Sequence, residues 1–166
     1  MAHISGAARE VADHRASESL AAQAIDALRV ALGDQLIAAV LFGSQARGDG
    51  HDGSDWDVLI VAEALPERIF ERHIFLKRLL PANCRAAVSI IARTPTEFEA
   101  RLPSLYLDIA LDGRILYDPR GYAEARLASL QGLMNSQGLF RERTPDGDVW
   151  RRKKPHAGPW QLQWGE

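Results

Sequence analysis

The stretch from Val40 to Val61 leaves few choices for a chain like this. An apolar run breaks at Gly43-Ser44 and a polar, glycine-rich loop follows; Asp55 and Asp57 then lead into a second apolar run. Leu36 to Phe42 is too short and too uniformly apolar for a surface helix, so it reads as a buried strand, and Asp57 to Val61 as the next one. Side chains at i and i+2 of a strand share a face, so Asp55 and Asp57 project together toward the Gly43-Ser44 turn. Two like charges on one face are costly unless a cation binds them. Gly43 lets backbone N–H groups approach a phosphate, and Ser44 adds a hydroxyl donor. A short helix starting after Ser44 would aim its positive end at the same anion. Mg²⁺ takes one or two carboxylates plus phosphate oxygens. Together these features point to nucleotide chemistry. The plain alternative is an ordinary loop between two strands, with the two aspartates solvating an edge.

The flanking sequence supplies a domain around this stretch. Residues 1–16 are small and polar and read as a flexible N-terminus. From Ser17, the stripe Ala21, Ala24, Ile25, Leu28, Ala31 and Leu32 predicts a helix that Gly33 ends. Pro66 suits a first helical position before a helix carrying Ile69, Phe70, Ile74, Leu76 and Leu80. Ala86 to Ala92 reads as a third strand. Thr94-Pro95-Thr96-Glu97 is a capping box with proline at the first helical position. Pro103 interrupts that helix, Asp112-Gly113 ends its second piece, and Arg114 to Tyr117 forms a fourth strand. A last helix uses Ala123, Leu127, Leu130, Leu133 and Met134, with Gly138 at its end. Residues 17–138 form the domain, and residues 139–166 an appendage that packs on the body or on a partner. In that appendage Thr144 to Asp148 signals a turn, and Trp160, Leu162 and Trp164 alternate with a strand's period. The expected fold is α/β (α+β): a small mixed sheet with helices mainly on one face, plus a C-terminal β hairpin or extended appendage.

Composition narrows the function classes. The chain has 166 residues, 46% hydrophobic and 25% charged, enough for one domain with a sizeable core. A net charge of −2 gives no global basic footprint for nucleic acid. Arg151-Arg152-Lys153-Lys154, between Trp150 and Trp160, is a local basic run. It suits either single-stranded nucleic acid or, the favoured reading, a solvated strand edge. The single cysteine, Cys84, excludes an internal disulfide and fits a reducing cytoplasm. No apolar run has the length of a membrane span, and the N-terminus lacks the order of a signal peptide. The histidines, His51 in the central loop among them, show no metal-ligand spacing.

The segments Gly43-Ser44-Gln45-Ala46-Arg47-Gly48 and Ser54-Asp55-Trp56-Asp57 resemble the signature of the nucleotidyltransferase superfamily with the DNA polymerase β-like fold. They look closest to its small stand-alone, or minimal, members. The resemblance runs from about Leu20 to Tyr117. It implies transfer of a nucleoside monophosphate from an NTP, most simply ATP, to a hydroxyl, with release of pyrophosphate. It implies that Asp55 and Asp57 are catalytic and hold Mg²⁺ (or Mn²⁺), and that Gly43 and Ser44 hold the β- and γ-phosphates. Arg47 is a candidate phosphate contact; its alternative is a salt bridge to Asp49 or Asp52. Relatives of this kind carry a third carboxylate on the strand after the second helix, which completes the metal site and can take the acceptor's proton. Ser89 stands at the matching position here. Glu97, Glu99 and Asp108 are possible substitutes; their plain roles are a cap, a solvated helix face and a helix surface. The acceptor would be a small molecule, such as an aminoglycoside-type antibiotic, or a protein. Small relatives are often antitoxins that modify a helical partner with an RNase-like fold. The alternative reading is a nucleotide-binding, antitoxin-like or regulatory subunit with little catalysis that acts by contact through its tryptophan-rich tail. A homo-oligomer is compatible with either.

Overall fold

The computed structural model describes residues 20–51, 53–145 and 147–153. Helix α1 covers residues 20–32, and a 3₁₀ turn at Gly33–Gln35 leads into strand β1, Leu36–Phe42. A five-residue helix α2, Gly43–Arg47, and a loop connect β1 to β2, Trp56–Ala62. Then come α3, Ile69–Leu79, α4, Ala82–Ala87, and β3, Val88–Arg93. Helices α5, Pro95–Ala100, and α6, Ser104–Asp112, precede β4, Arg114–Tyr117. Helix α7, Tyr122–Ser136, feeds a hairpin of β5, Leu139–Thr144, and β6, Gly147–Arg152.

The main sheet has the order β3-β2-β1-β4. β1 is antiparallel to β2 and β4, and β2 is parallel to β3, so the sheet is mixed. Every residue of β1 is buried. A strand buried on both faces needs two cores, and the molecule has them. Ala24, Ile25 and Leu28 of α1 pack with Leu76 and Cys84 against Leu41, Val58 and Ile60. Phe98, Tyr106, Leu107, Leu127 and Leu130 of α5–α7 pack against Val40, Leu59 and Val61 on the opposite face. Helices therefore cover both faces of the sheet, not mainly one; the unbroken apolar runs of β1 and β2 are the physical cause.

Other local expectations shift by a few residues. Pro66 is not a first helical position: α3 starts at Ile69 behind Arg68. Ile69 and Phe70 of that helix are 74% exposed, and its buried residues are Leu76 and, unexpectedly, Arg72. The segment read as the start of a third strand at Ala86 is instead the end of α4. The Lys77 ammonium donates to the carbonyls of Arg85 and Val88 where that helix hands over to β3. Ala31 is exposed, off the buried stripe of α1. The Thr94 capping box forms as read, with Glu97 N donating to Thr94 Oγ1 and Thr94 N to Glu97 Oε2. Trp160, Leu162, Trp164, Lys154 and residues 1–16 lie outside the described residues.

Candidate active site

The ends of β1 and β2 put the turn and the carboxylates together. Phe42 pairs with Asp57, and Asp57 in turn pairs with Ser89 on β3. The strand alternation sends Asp57 to the same side as Leu59 and Val61, toward α5–α7. Gly43 follows Phe42 with φ +74°, a left-handed conformation that side chains resist. A Cβ at Gly43 would sit 2.5 Å from Asp57 Oδ2. Only a bare glycine backbone lets the turn lie directly on the carboxylate. α2 thus starts at Gly43, one residue before Ser44 and not after it, and Gly48 closes it with φ +79°.

The loop then returns on its own hydrogen bonds. Gln45 Nε2 donates to Ser54 O at 3.2 Å, and His51 N donates to Ser54 Oγ at 3.1 Å. This brings Asp55, which is exposed, and Asp57, which is half-buried, back beside the turn. Burial pushes the Asp57 carboxyl above the usual range, and the neighbouring Asp55 charge adds to the push. A hydrogen bond from the Ser89 hydroxyl and the charge of Arg47 oppose it. Such a carboxylate pair, short of positive charge, suits Mg²⁺ or Mn²⁺ when phosphate oxygens complete the shell. Among the described residues no group of three His, Cys, Asp or Glu side chains gathers to hold a metal without such help.

The possible substitutes for a third carboxylate are all held in other pairs. Both Glu97 oxygens accept from Arg72, at 2.6 and 2.9 Å. Glu99 accepts from Tyr122 Oη and from Arg126. Asp108 accepts from Trp150 Nε1 at 3.1 Å and pairs with Arg141. Arg47 Nε lies 3.1 Å from Asp49 Oδ2, the salt bridge set against its phosphate role. In the basic run, Arg151 pairs with Glu142, and Arg152, partly buried, donates from Nη2 to Gln137.

Sequence reasoning missed the outer wall. A cleft of about 530 Å³ opens beside Gly43, bounded by Phe42 and Arg47, by Leu105, Asp108 and Asp112 of α6, and by the tip of the β5–β6 hairpin. Arg141 fixes that hairpin by pairing with Asp112 at 2.5 Å, Asp108 at 3.3 Å and Asp148 at 3.4 Å. The residues involved are ordinary charges far apart in sequence, and the contacts arise only once α7 turns the chain back. The cleft's volume is within the range of small-ligand sites.

Comparison with known proteins places the chain in a family. A family model described as a nucleotidyltransferase domain matches residues 23–117. A candidate protein adenylyltransferase of Methanocaldococcus jannaschii is 46% identical over 48 residues, 29% of this chain. That match spans 33% of the relative's length. A toxin–antitoxin complex with AMP-PNP contains a chain of similar fold, with a TM-score of 0.50 and 19% identity over 70% of this chain and 91% of that one. A candidate nucleotidyltransferase from Sulfolobus solfataricus aligns with a TM-score of 0.49 and 22% identity, over 66% of this chain and 86% of that one.

Proposed function

The chain belongs to the nucleotidyltransferase domain family, and from that premise we propose that it moves AMP from ATP to a hydroxyl of a partner protein and releases pyrophosphate. The observation that carries the reading is the Gly43 backbone lying directly on the Asp57 carboxylate. A phosphate-binding turn and a metal-binding carboxylate there share one site. Gly43 and Ser44 hold the β- and γ-phosphates through backbone N–H groups and the Ser44 hydroxyl. Mg²⁺ or Mn²⁺, held by Asp55 and Asp57, supplies neutralisation of the triphosphate charge when bound. The bond from the acceptor oxygen to the α-phosphorus forms as the bond to the pyrophosphate oxygen breaks. Ser89 is no base at neutral pH, so the acceptor proton passes to water. Positioning and charge stabilisation carry most of such a transfer, which tolerates a weak base. The partial likeness to an adenylyltransferase and the fold shared with a chain of a toxin–antitoxin complex support a protein acceptor, and a helical toxin-type partner fits both. A small-molecule hydroxyl is the competing acceptor.

Ser89 favours a second reading, a nucleotide-binding antitoxin-like subunit that acts by contact. Incubation with α-labelled ATP, Mg²⁺ and candidate acceptors separates the two. The enzyme reading expects label on the acceptor and pyrophosphate in solution, both lost in Asp57→Ala. Nucleotide binding without either product would sink it in favour of the second.

A further inference from the structure

At the mouth of the cleft two arginines from distant parts of the chain meet one carboxylate oxygen. Arg47 of α2 places Nε 3.1 Å from Asp49 Oδ2, and Arg143 of β5 places Nη2 3.5 Å from the same atom. Both arginines line the cleft beside Gly43. Two guanidiniums thus converge on one oxygen of Asp49. Asp148 also lies near Arg143, at 3.6 Å, but it is shared with Arg141, which already pairs with Asp108 and Asp112. The Arg143 side chain is 72% exposed and open to a ligand in the cleft, whereas that of Arg141 is 13% exposed. Arg141 and Arg143 are two apart on β5 and so share a face: the first ties the hairpin to α6, and the second reaches Asp49 beside the turn. A planar guanidinium fork suits phosphate oxygens, and a pair of them suits a polyphosphate.

We propose that Arg143, carried on the C-terminal hairpin, joins Arg47 as a two-arginine clamp on the triphosphate of the bound nucleotide, with Asp49 as an internal counter-anion that the phosphate displaces. The inference rests on the nucleotide site proposed above and adds a residue from beyond the matched family region, which ends at residue 117. It makes the hairpin part of the binding site.

Displacement fixes the sign of the test. Arg143→Gln removes an attractive group, whereas Asp49→Asn removes a competitor. Affinities of the full-length chain for ATP, for inorganic tripolyphosphate and for adenosine are measured in Mg²⁺ by calorimetry. Arg143→Gln weakens ATP and tripolyphosphate about tenfold, as expected for one charge-assisted contact. Adenosine is unaffected, and Arg143→Lys recovers part of the loss. Asp49→Asn tightens both polyphosphates. If Arg143→Gln leaves polyphosphate affinity unchanged while Asp57→Ala abolishes it, the clamp is wrong and the nucleotide site stands. Weaker binding in Asp49→Asn, with the fold intact by circular dichroism, would make Asp49 a structural tether and also overturn the clamp. A wild-type chain that binds neither polyphosphate overturns both proposals.

Discussion

At the scale of single residues, two glycines with nearly the same φ do different work. Gly43 and Gly48 both have φ near +75°, at +74° and +79°. A Cβ at Gly48 meets nothing within 4 Å, while one at Gly43 meets Asp57 Oδ2 at 2.5 Å. Gly48→Ala should cost only the left-handed strain, about 1–2 kcal/mol, and leave nucleotide affinity near wild type. Gly43→Ala carries the same strain and must also push the carboxylate away. Calorimetric titration with a non-hydrolysable ATP analogue in Mg²⁺ should then show at least a roughly tenfold loss for Gly43→Ala alone, since displacing the carboxylate proposed to hold the metal costs more than 1.4 kcal/mol. Equal affinities for the two variants would mean that contact between the turn and Asp57 plays no part in binding. The sequence made the pairing of turn and carboxylates readable because strand periodicity and a glycine-serine break are local signals. It could not show that Ser89 donates a hydrogen bond to Asp57. That contact depends on the register of β2 with β3, which is fixed by packing.

At the scale of elements, Arg72 of α3 holds together pieces that the hydrophobic pattern treats separately. Its Nε donates to Pro66 O at 2.8 Å and its Nη1 to Ala92 O at 3.1 Å, and both Nη atoms reach Glu97. It therefore ties the loop before α3, the end of β3 and the start of α5. Of the apolar residues that α3 carries, Ile69 and Phe70 stand exposed while Arg72 is buried, because a fully hydrogen-bonded arginine can take an interior position. Arg72→Met should destabilise the chain by about 3 kcal/mol in urea denaturation, because it strands a carboxylate and two carbonyls. Hydrogen bonds from Arg72 chiefly hold the Glu97 carboxyl down at about 2, below its ordinary 4.5, with help from Thr94 N. Its contribution is complete above pH 4.5 and is lost as pH falls from there through about 2. Glu97 is 41% exposed, so solvent screening leaves roughly 1 kcal/mol of that contribution. Glu97→Gln should remove that much stability at pH 7 and flatten the acid limb between pH 4.5 and 2; an unchanged limb would assign the acid sensitivity to other carboxylates.

At the scale of the whole molecule, the sequence disclosed most of the architecture and little of how its parts are joined. The unbroken apolar runs of β1 and β2 revealed the central strands, and the same runs implied the second layer of helices that the expected one-sided arrangement left out. The hairpin was legible as a turn between two polar strands. Its docking was not, because an ion cluster has no period: Arg141 meets Asp108, Asp112 and Asp148, and Trp150 donates to Asp108. The hairpin has its own two-stranded sheet, and apart from Leu139 and Trp150 it shares little of the apolar core. A two-stranded unit of this kind is marginal without support. Arg141→Met leaves Asp108 and Asp112 facing each other without their cation. The hairpin's own Asp148 then faces these two α6 carboxylates without the cation between them, and that repulsion should free the hairpin while the four-stranded domain stays folded. The difference in emission between each chain and its Trp150→Phe counterpart isolates the signal of Trp150. In Arg141→Met that signal should shift to the red at low urea, ahead of the far-ultraviolet circular dichroism transition. In the wild-type chain the two transitions should coincide, as in a cooperative unit. Coincident transitions in the variant as well would mean that burial of Leu139 and Trp150, and not the ion cluster, binds the hairpin to the domain.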